Sequence, residues 1–61
     1  MSDQEVIDAF MIRIAKAVSE RDAWRTAGHE EKYLEAYFMV EALELQLDAR
    51  LRRRAVDEAP R

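Results

Sequence analysis

The stretch "TAGHEE", residues 26–31, decides how the chain folds. Gly28 can adopt the left-handed backbone conformation that often follows the last residue of a helix. Glu30 and Glu31 then place negative charge where the positive end of a new helix dipole would lie. The stretch therefore predicts that one helix ends, the chain turns tightly, and a second helix begins.

Apolar residues on both sides of the turn recur at helical spacing, which predicts two helices rather than strands. Residues 2–5, "SDQE", fit a capping box in which the Ser2 hydroxyl accepts a hydrogen bond from the Glu5 amide. The stripe that follows comprises Ile7, Phe10, Ile14, Ala17, Val18 and Trp24. The stripe after the turn comprises Tyr33, Ala36, Tyr37, Val40, Leu43, Leu47 and Leu51.

The two stripes match in length and register when the chain folds back on itself, as they should in an antiparallel helical hairpin. The competing hypothesis is one continuous helix of about 50 residues, because a single glycine costs only ~1 kcal/mol in a helix. Continuing the first stripe in heptad steps reaches Gly28, Glu31 and Glu35, which cannot form an apolar seam. We therefore predict helix 1 over about 3–26, a turn over about 27–29, helix 2 over about 29–55 and a frayed tail over 56–61.

The bulk composition limits how such a hairpin can be stabilised. A chain of 61 residues forms one domain at most, and a domain of that size buries a small share of its surface. The chain contains no cysteine, so neither disulfides nor thiolate metal sites can support it. One glycine, one proline and 38% charged residues are typical of a helical protein. The supports that remain are close helix packing and oligomerisation.

Helix 2 is apolar around too much of its circumference for one neighbouring helix to cover. In the stretch "YFMVEALELQL", residues 37–47, eight of the eleven side chains are apolar. Besides the stripe that faces helix 1, a second stripe is turned well away from it and comprises Leu34, Phe38, Ala42, Leu45 and Ala49. We predict that this second stripe is an oligomer or partner interface.

A second copy of the chain is the partner that we favour, because most soluble oligomers are symmetric homo-oligomers. Charge weakly supports a head-to-tail arrangement, since residues 29–49 carry one basic and six acidic groups, whereas residues 50–61 carry five basic and two acidic groups. The alternatives are an apolar groove for a different protein and a stable monomer. The predicted fold class is all-α: a two-helix antiparallel hairpin that dimerises into a four-helix bundle.

An arginine cluster near the end of helix 2 is a candidate nucleic-acid contact, because closely spaced guanidinium groups neutralise phosphates. The cluster comprises Arg50, Arg52, Arg53 and Arg54. In its proportions the chain resembles the small RNA-binding helical bundles that control plasmid copy number, although it shares no sequence motif with them. Against RNA binding stand the net charge of −3 and a pI near 5.0. We favour the alternative, in which solvated arginines match the negative end of the helix dipole.

Two further residues have both a functional and a structural interpretation. Trp24 could be an exposed interaction residue, but we expect it to close the turn end of the hairpin against the tyrosines of helix 2. Arg21 interrupts the first stripe, and a buried charge needs a partner such as Glu41 or Glu44. Alternatively, the long Arg21 side chain extends to solvent at the edge of the stripe. The sequence does not separate these two roles of Arg21.

His29 beside Glu30 and Glu31 invites a metal or acid–base interpretation, which the spacing does not support. Adjacent helical residues point in different directions, and neither H-E-x-x-H nor the inward Glu-x-x-His of di-iron bundles occurs. Two helices also offer no phosphate-binding loop and no nucleophile paired with a base. We therefore expect no catalytic residue, no metal and no cofactor, and we assign His29 to the turn.

These features predict a small non-enzymatic protein-interaction or regulatory module that acts through homo-oligomerisation. Besides RNA binding, an alternative is a small acidic phage or bacterial regulator that presents the carboxylates of residues 30–48 to a basic protein. The longest apolar run near the start, "AFMI", is far shorter than the roughly 18 residues of a membrane span. We accordingly expect a cytoplasmic protein without a membrane partner.

Overall fold

Two α-helices make up the fold: α1 spans Asp3–Ala27 and α2 spans Glu30–Glu58. The computed structural model describes the backbone of residues 2–58 and the side chains of residues 2–55, and within that part of the chain there is no strand. The two helices pack against each other through apolar side chains that are distant in sequence. This arrangement confirms the predicted all-α, two-helix hairpin.

α1 begins at Ser2, whose backbone is extended (φ −76°, ψ 157°) and whose Oγ accepts a hydrogen bond from the Glu5 amide at 3.3 Å. This is the hydrogen bond that the capping-box sequence predicted. It satisfies one of the amide groups that a helix leaves unpaired at its start. Asp3 and Glu5 lie in the first turn, where the helix dipole favours negative charge. The sequence thus specifies where α1 starts.

The turn between the helices is a Schellman motif centred on Gly28, which has a φ of 75° in the left-handed region. The Gly28 amide donates to the Arg25 carbonyl at 3.1 Å, and the His29 amide donates to the Trp24 carbonyl at 3.0 Å. The Tyr33 amide then donates to the His29 carbonyl at 2.9 Å, which starts α2. Only glycine adopts this conformation without a steric penalty, so Gly28 is the residue that reverses the chain.

Trp24 packs against His29 in this turn, with the two ring centroids 5.3 Å apart in an edge-to-face arrangement. The Schellman hydrogen bonds bring these two positions together, and an apolar contact between them commonly accompanies the motif. We expected Trp24 to pack on the tyrosines instead. Tyr33 lines the same shallow surface depression as Trp24, but the ring contacts of Tyr37 are made with Tyr33 and Phe38.

The core lies along the line where the two predicted stripes meet. Its buried cluster is formed by Phe10 and Ala17 from α1 with Val40 and Leu43 from α2, and Val40 is only 1% exposed. The partly buried residues around this cluster are Val6, Ile14, Val18 and Leu47. Burial of these side chains is the main stabilising contribution that two helices can supply, at roughly 25 cal/mol per Å² of apolar surface.

α2 continues three residues past its predicted end at about residue 55 and reaches Glu58. Residues 55–58 contain neither glycine nor proline, so nothing in their sequence stops the helix. The rest of the predicted tail, residues 59–61, lies outside the described part of the chain.

Candidate protein interface on the second helix

The five predicted interface residues all lie on the exposed surface of α2. We call this set the outer stripe, and it comprises Leu34, Phe38, Ala42, Leu45 and Ala49. The three large members are 42% (Leu34), 64% (Phe38) and 75% (Leu45) exposed. Within a single hairpin, therefore, the outer stripe contacts solvent instead of α1.

The outer stripe faces away from the core because of helix geometry. At about 100° per residue, Phe38 lies about 160° around the helix from Val40, the most buried residue. Leu45 lies about 140° from Val40 by the same measure. One helix cannot cover two surfaces that point in nearly opposite directions. Both surfaces of α2 are apolar, but α1 covers only one of them.

The molecule is more extended than a compact domain of the same size. The chain exposes 5220 Å², whereas a compact monomer of 7.2 kDa exposes about 4,100 Å². Its radius of gyration is 14.6 Å, compared with about 10.5 Å for a compact domain of 61 residues. The excess of about 1,100 Å² reflects the elongated two-helix shape, with extents of 51 × 19 × 13 Å.

Three of the four arginines of the predicted nucleic-acid contact, Arg50, Arg53 and Arg54, line one depression together with Asp3 at the start of α1. The Arg50 guanidinium lies over the Phe10 ring, 5.3 Å from its centroid, and Arg54 Nη1 donates to Gln4 Oε1 at 3.3 Å. Arg52 Nη2 lies 3.5 Å from Asp48 Oδ2, and Arg53 is exposed. Arg50 and Arg54 therefore join α2 to the start of α1, and the structure does not bring all four guanidinium groups onto one phosphate-binding surface.

Arg21 is paired with its own neighbour. Its Nη2 and Nε both lie 3.2 Å from Asp22 Oδ1, and its side chain is about a quarter exposed. Of the two roles that the sequence left open, the structure supports extension to solvent at the edge of the stripe, with Asp22 as partner. The acidic candidates Glu41 and Glu44 instead line an open depression beside Leu45 and Leu47.

Several apolar side chains outside the outer stripe are also exposed. Met11, next to the buried Phe10 in the sequence, is 57% exposed, and Ile12 on the polar side of α1 is 71% exposed. Leu51 and Tyr37 lie at the margins of the main stripe of α2 and remain partly exposed as well. Leu51 and Tyr37 stay partly exposed because a single neighbouring helix covers only the centre of a broad apolar stripe.

The described residues contain no group of three or more His, Asp or Glu side chains arranged to hold a metal ion. Neither α1 nor the described length of α2 combines the length and apolar character needed to cross a bilayer. His29, the one residue that invited a metal interpretation, belongs to the turn through its amide, its carbonyl and its ring contact with Trp24.

The chain matches no protein-family model, no curated protein and no solved structure.

Proposed function

We propose that this protein is a non-enzymatic interaction module that acts by pairing with a second copy of itself through the outer stripe of α2. The observation that carries the proposal is the exposure of Phe38 and Leu45 on the side of α2 that faces away from α1. Monomeric proteins rarely leave a contiguous apolar surface of this kind in solvent. Two hairpins joined in this way form a four-helix assembly.

A homodimer also fits the energetics of so short a chain. The described core of one hairpin contains five buried apolar residues, which is little to set against the conformational entropy of ordering two helices. Self-association would therefore supply the stability that the hairpin lacks and leave the polar outer faces available to other molecules.

Binding of nucleic acid by the arginine cluster has less support. Two of its members, Arg50 and Arg54, make contacts with α1, and the Asp3 carboxylate lines the same depression as Arg50, Arg53 and Arg54. The net charge of −3 adds a general repulsion of polyanions. The binding of a basic protein to the carboxylates of residues 30–48 likewise rests on net charge alone. No contact in the described structure favours either function over self-association.

The dependence of thermal stability on concentration tests this proposal. If folding and pairing are coupled, the unfolding midpoint of the wild-type protein should rise with chain concentration by mass action. For a dimer of this size we expect a rise of about 5 °C for each tenfold increase in concentration. The measurement is helical circular dichroism during heating, over a roughly hundredfold range of concentration. A midpoint that does not move across this range would contradict self-association.

A further inference from the structure

The outer stripe belongs to a longer exposed series on α2 with the spacing of a coiled-coil seam. Steps of three and four residues alternate along the series, which is the pattern that keeps one face of a helix against a partner helix. We call this series the α2 seam, and it comprises Glu35, Phe38, Ala42, Leu45, Ala49 and Arg52. Every member is exposed in the single hairpin, and Leu34 flanks the seam. Glu35 and Arg52 are the charged residues at the two ends of this seam.

The side chains of the α2 seam are complementary to those of a second α2 helix that runs antiparallel to the first. When two antiparallel α2 helices are centred between residues 43 and 44, Phe38 of one copy lies opposite Ala49 of the other, and Leu45 lies opposite Ala42. Each large side chain then faces a small one, which lets the two helices approach closely and fill the space between them. The same arrangement sets Glu35 opposite Arg52, so that opposite charges meet at both ends.

We propose that two copies of the chain pair through an antiparallel α2 seam, with Glu35 of each copy facing Arg52 of the other. This inference rests on the proposed homodimer and adds its direction, its register and a role for one member of the arginine cluster. A two-fold axis passes between residues 43 and 44, so each contact between the copies occurs twice. The two α2 helices lie at the centre of the assembly and the two α1 helices lie outside.

A parallel pairing of the same surface is disfavoured by both size and charge. It would place Phe38 on Phe38, Ala42 on Ala42 and Ala49 on Ala49, so the seam would be alternately crowded and empty. It would also bring Glu35 against Glu35 and Arg52 against Arg52, and like charges placed directly opposite each other are destabilising. The antiparallel arrangement removes all of these conflicts at once.

The two charged ends of the seam can reorient toward a second copy. In the single hairpin, Glu35 Oε2 lies 3.6 Å from Lys32 Nζ, and Arg52 Nη2 lies 3.5 Å from Asp48 Oδ2. Both are long contacts on exposed side chains, and the Arg52 side chain is 82% exposed. Surface pairs of this kind contribute little, so exchanging them for pairs between the copies carries a small cost.

Charge reversal at the two positions tests the direction and the register. Glu35→Arg alone and Arg52→Glu alone each place two like-charged pairs across the seam, and we expect each to weaken the dimer by about tenfold. The double variant, E35R with R52E, restores opposite charges and should return the dissociation constant to within about threefold of the wild type. The measurement is sedimentation of all four proteins at an ionic strength of about 0.1 M, where charges more than about 10 Å apart on one helix are largely screened from each other.

A rescue in the double variant can only come from contacts between copies. Residues 35 and 52 are separated by about 25 Å along one helix, which is beyond the screening length of about 10 Å at ordinary salt. The matched control is Lys16→Glu with Glu20→Arg on the exposed surface of α1, which makes the same two charge changes away from the seam. This control should leave the dissociation constant unchanged.

The outcomes separate this inference from the proposed function. A wild-type protein that stays monomeric overturns both. A wild-type dimer that is unaffected by the single reversals, or that is weakened by both and not rescued in the double variant, overturns the antiparallel register and leaves the dimer standing. Circular dichroism of each variant should show wild-type helicity at concentrations where it is dimeric, since both positions are exposed in the single hairpin.

Discussion

Replacing Phe38 and Leu45 together by glutamate is expected to turn the dimer into a monomer, with the lower thermal stability of an unpaired hairpin. Both side chains are largely exposed in the single hairpin, at 64% and 75%, so the substitutions remove no intrachain core contact. In the dimer they would bury four carboxylates in an apolar seam without partners, at a cost of several kcal/mol for each site. A micromolar dimer is held together by only about 8 kcal/mol, so it cannot survive this change.

The mass of this double variant in solution, measured by sedimentation beside its helical circular dichroism, checks the expectation. Met11→Glu with Ile12→Glu is a matched control, because it adds the same charge at two apolar residues of α1 that are 57% and 71% exposed. The control should sediment as the wild type does. If the double variant at residues 38 and 45 keeps the wild-type mass, the outer stripe is not the self-interface.

Val40→Asp is expected to unfold the chain. Val40 is the most buried side chain in the structure, at 1% exposure, and it packs in the cluster with Phe10, Ala17 and Leu43. Among the described residues no polar or charged residue is buried, so the new carboxylate would have no internal partner. We expect a loss of more than about 4 kcal/mol, which is close to the whole stability of a 61-residue domain.

Helical circular dichroism with urea titration measures this loss. Ile12→Asp introduces the same group at an exposed position of α1, and it should change the unfolding free energy by no more than about 0.5 kcal/mol. Wild-type helicity and stability in the Val40→Asp protein would show that the contact between α1 and α2 is not what holds the chain in a hairpin.

The sequence predicted the parts of the fold that depend on local chemistry. Gly28 specifies the turn because the Schellman motif requires a left-handed residue, a conformation that glycine adopts readily. Ser2 specifies the start of α1 through its side-chain oxygen. The buried positions of Val40 and Leu43 follow from helical periodicity, and so does the exposure of Phe38.

Contacts between the helices were not predictable in the same way. The Arg50 contact with Phe10 and the Arg54 hydrogen bond to Gln4 depend on how the two helices cross, which periodicity does not determine. The Trp24 contact with His29 was missed because it follows from the detailed geometry of the turn. Arg21 forms an ion pair with its sequence neighbour Asp22, whereas the predicted partners, Glu41 and Glu44, lie on the other helix.

The proposed interface cannot be described from the contacts of one chain, since half of its residues belong to a second molecule. Sequence periodicity identifies an apolar surface on α2, and the structure leaves that surface uncovered. The five apolar residues by themselves do not define a direction of pairing, whereas the alternation of large and small side chains between Glu35 and Arg52 does. The two charged ends give the stripe a direction, and they are visible in the sequence.

Sedimentation equilibrium of the wild-type protein at several concentrations determines whether a second copy of the chain covers the outer stripe of α2. If it does, the measured mass is twice that of the 7.2 kDa chain and falls toward the single-chain mass on dilution. A mass of 7.2 kDa at every concentration would contradict self-association.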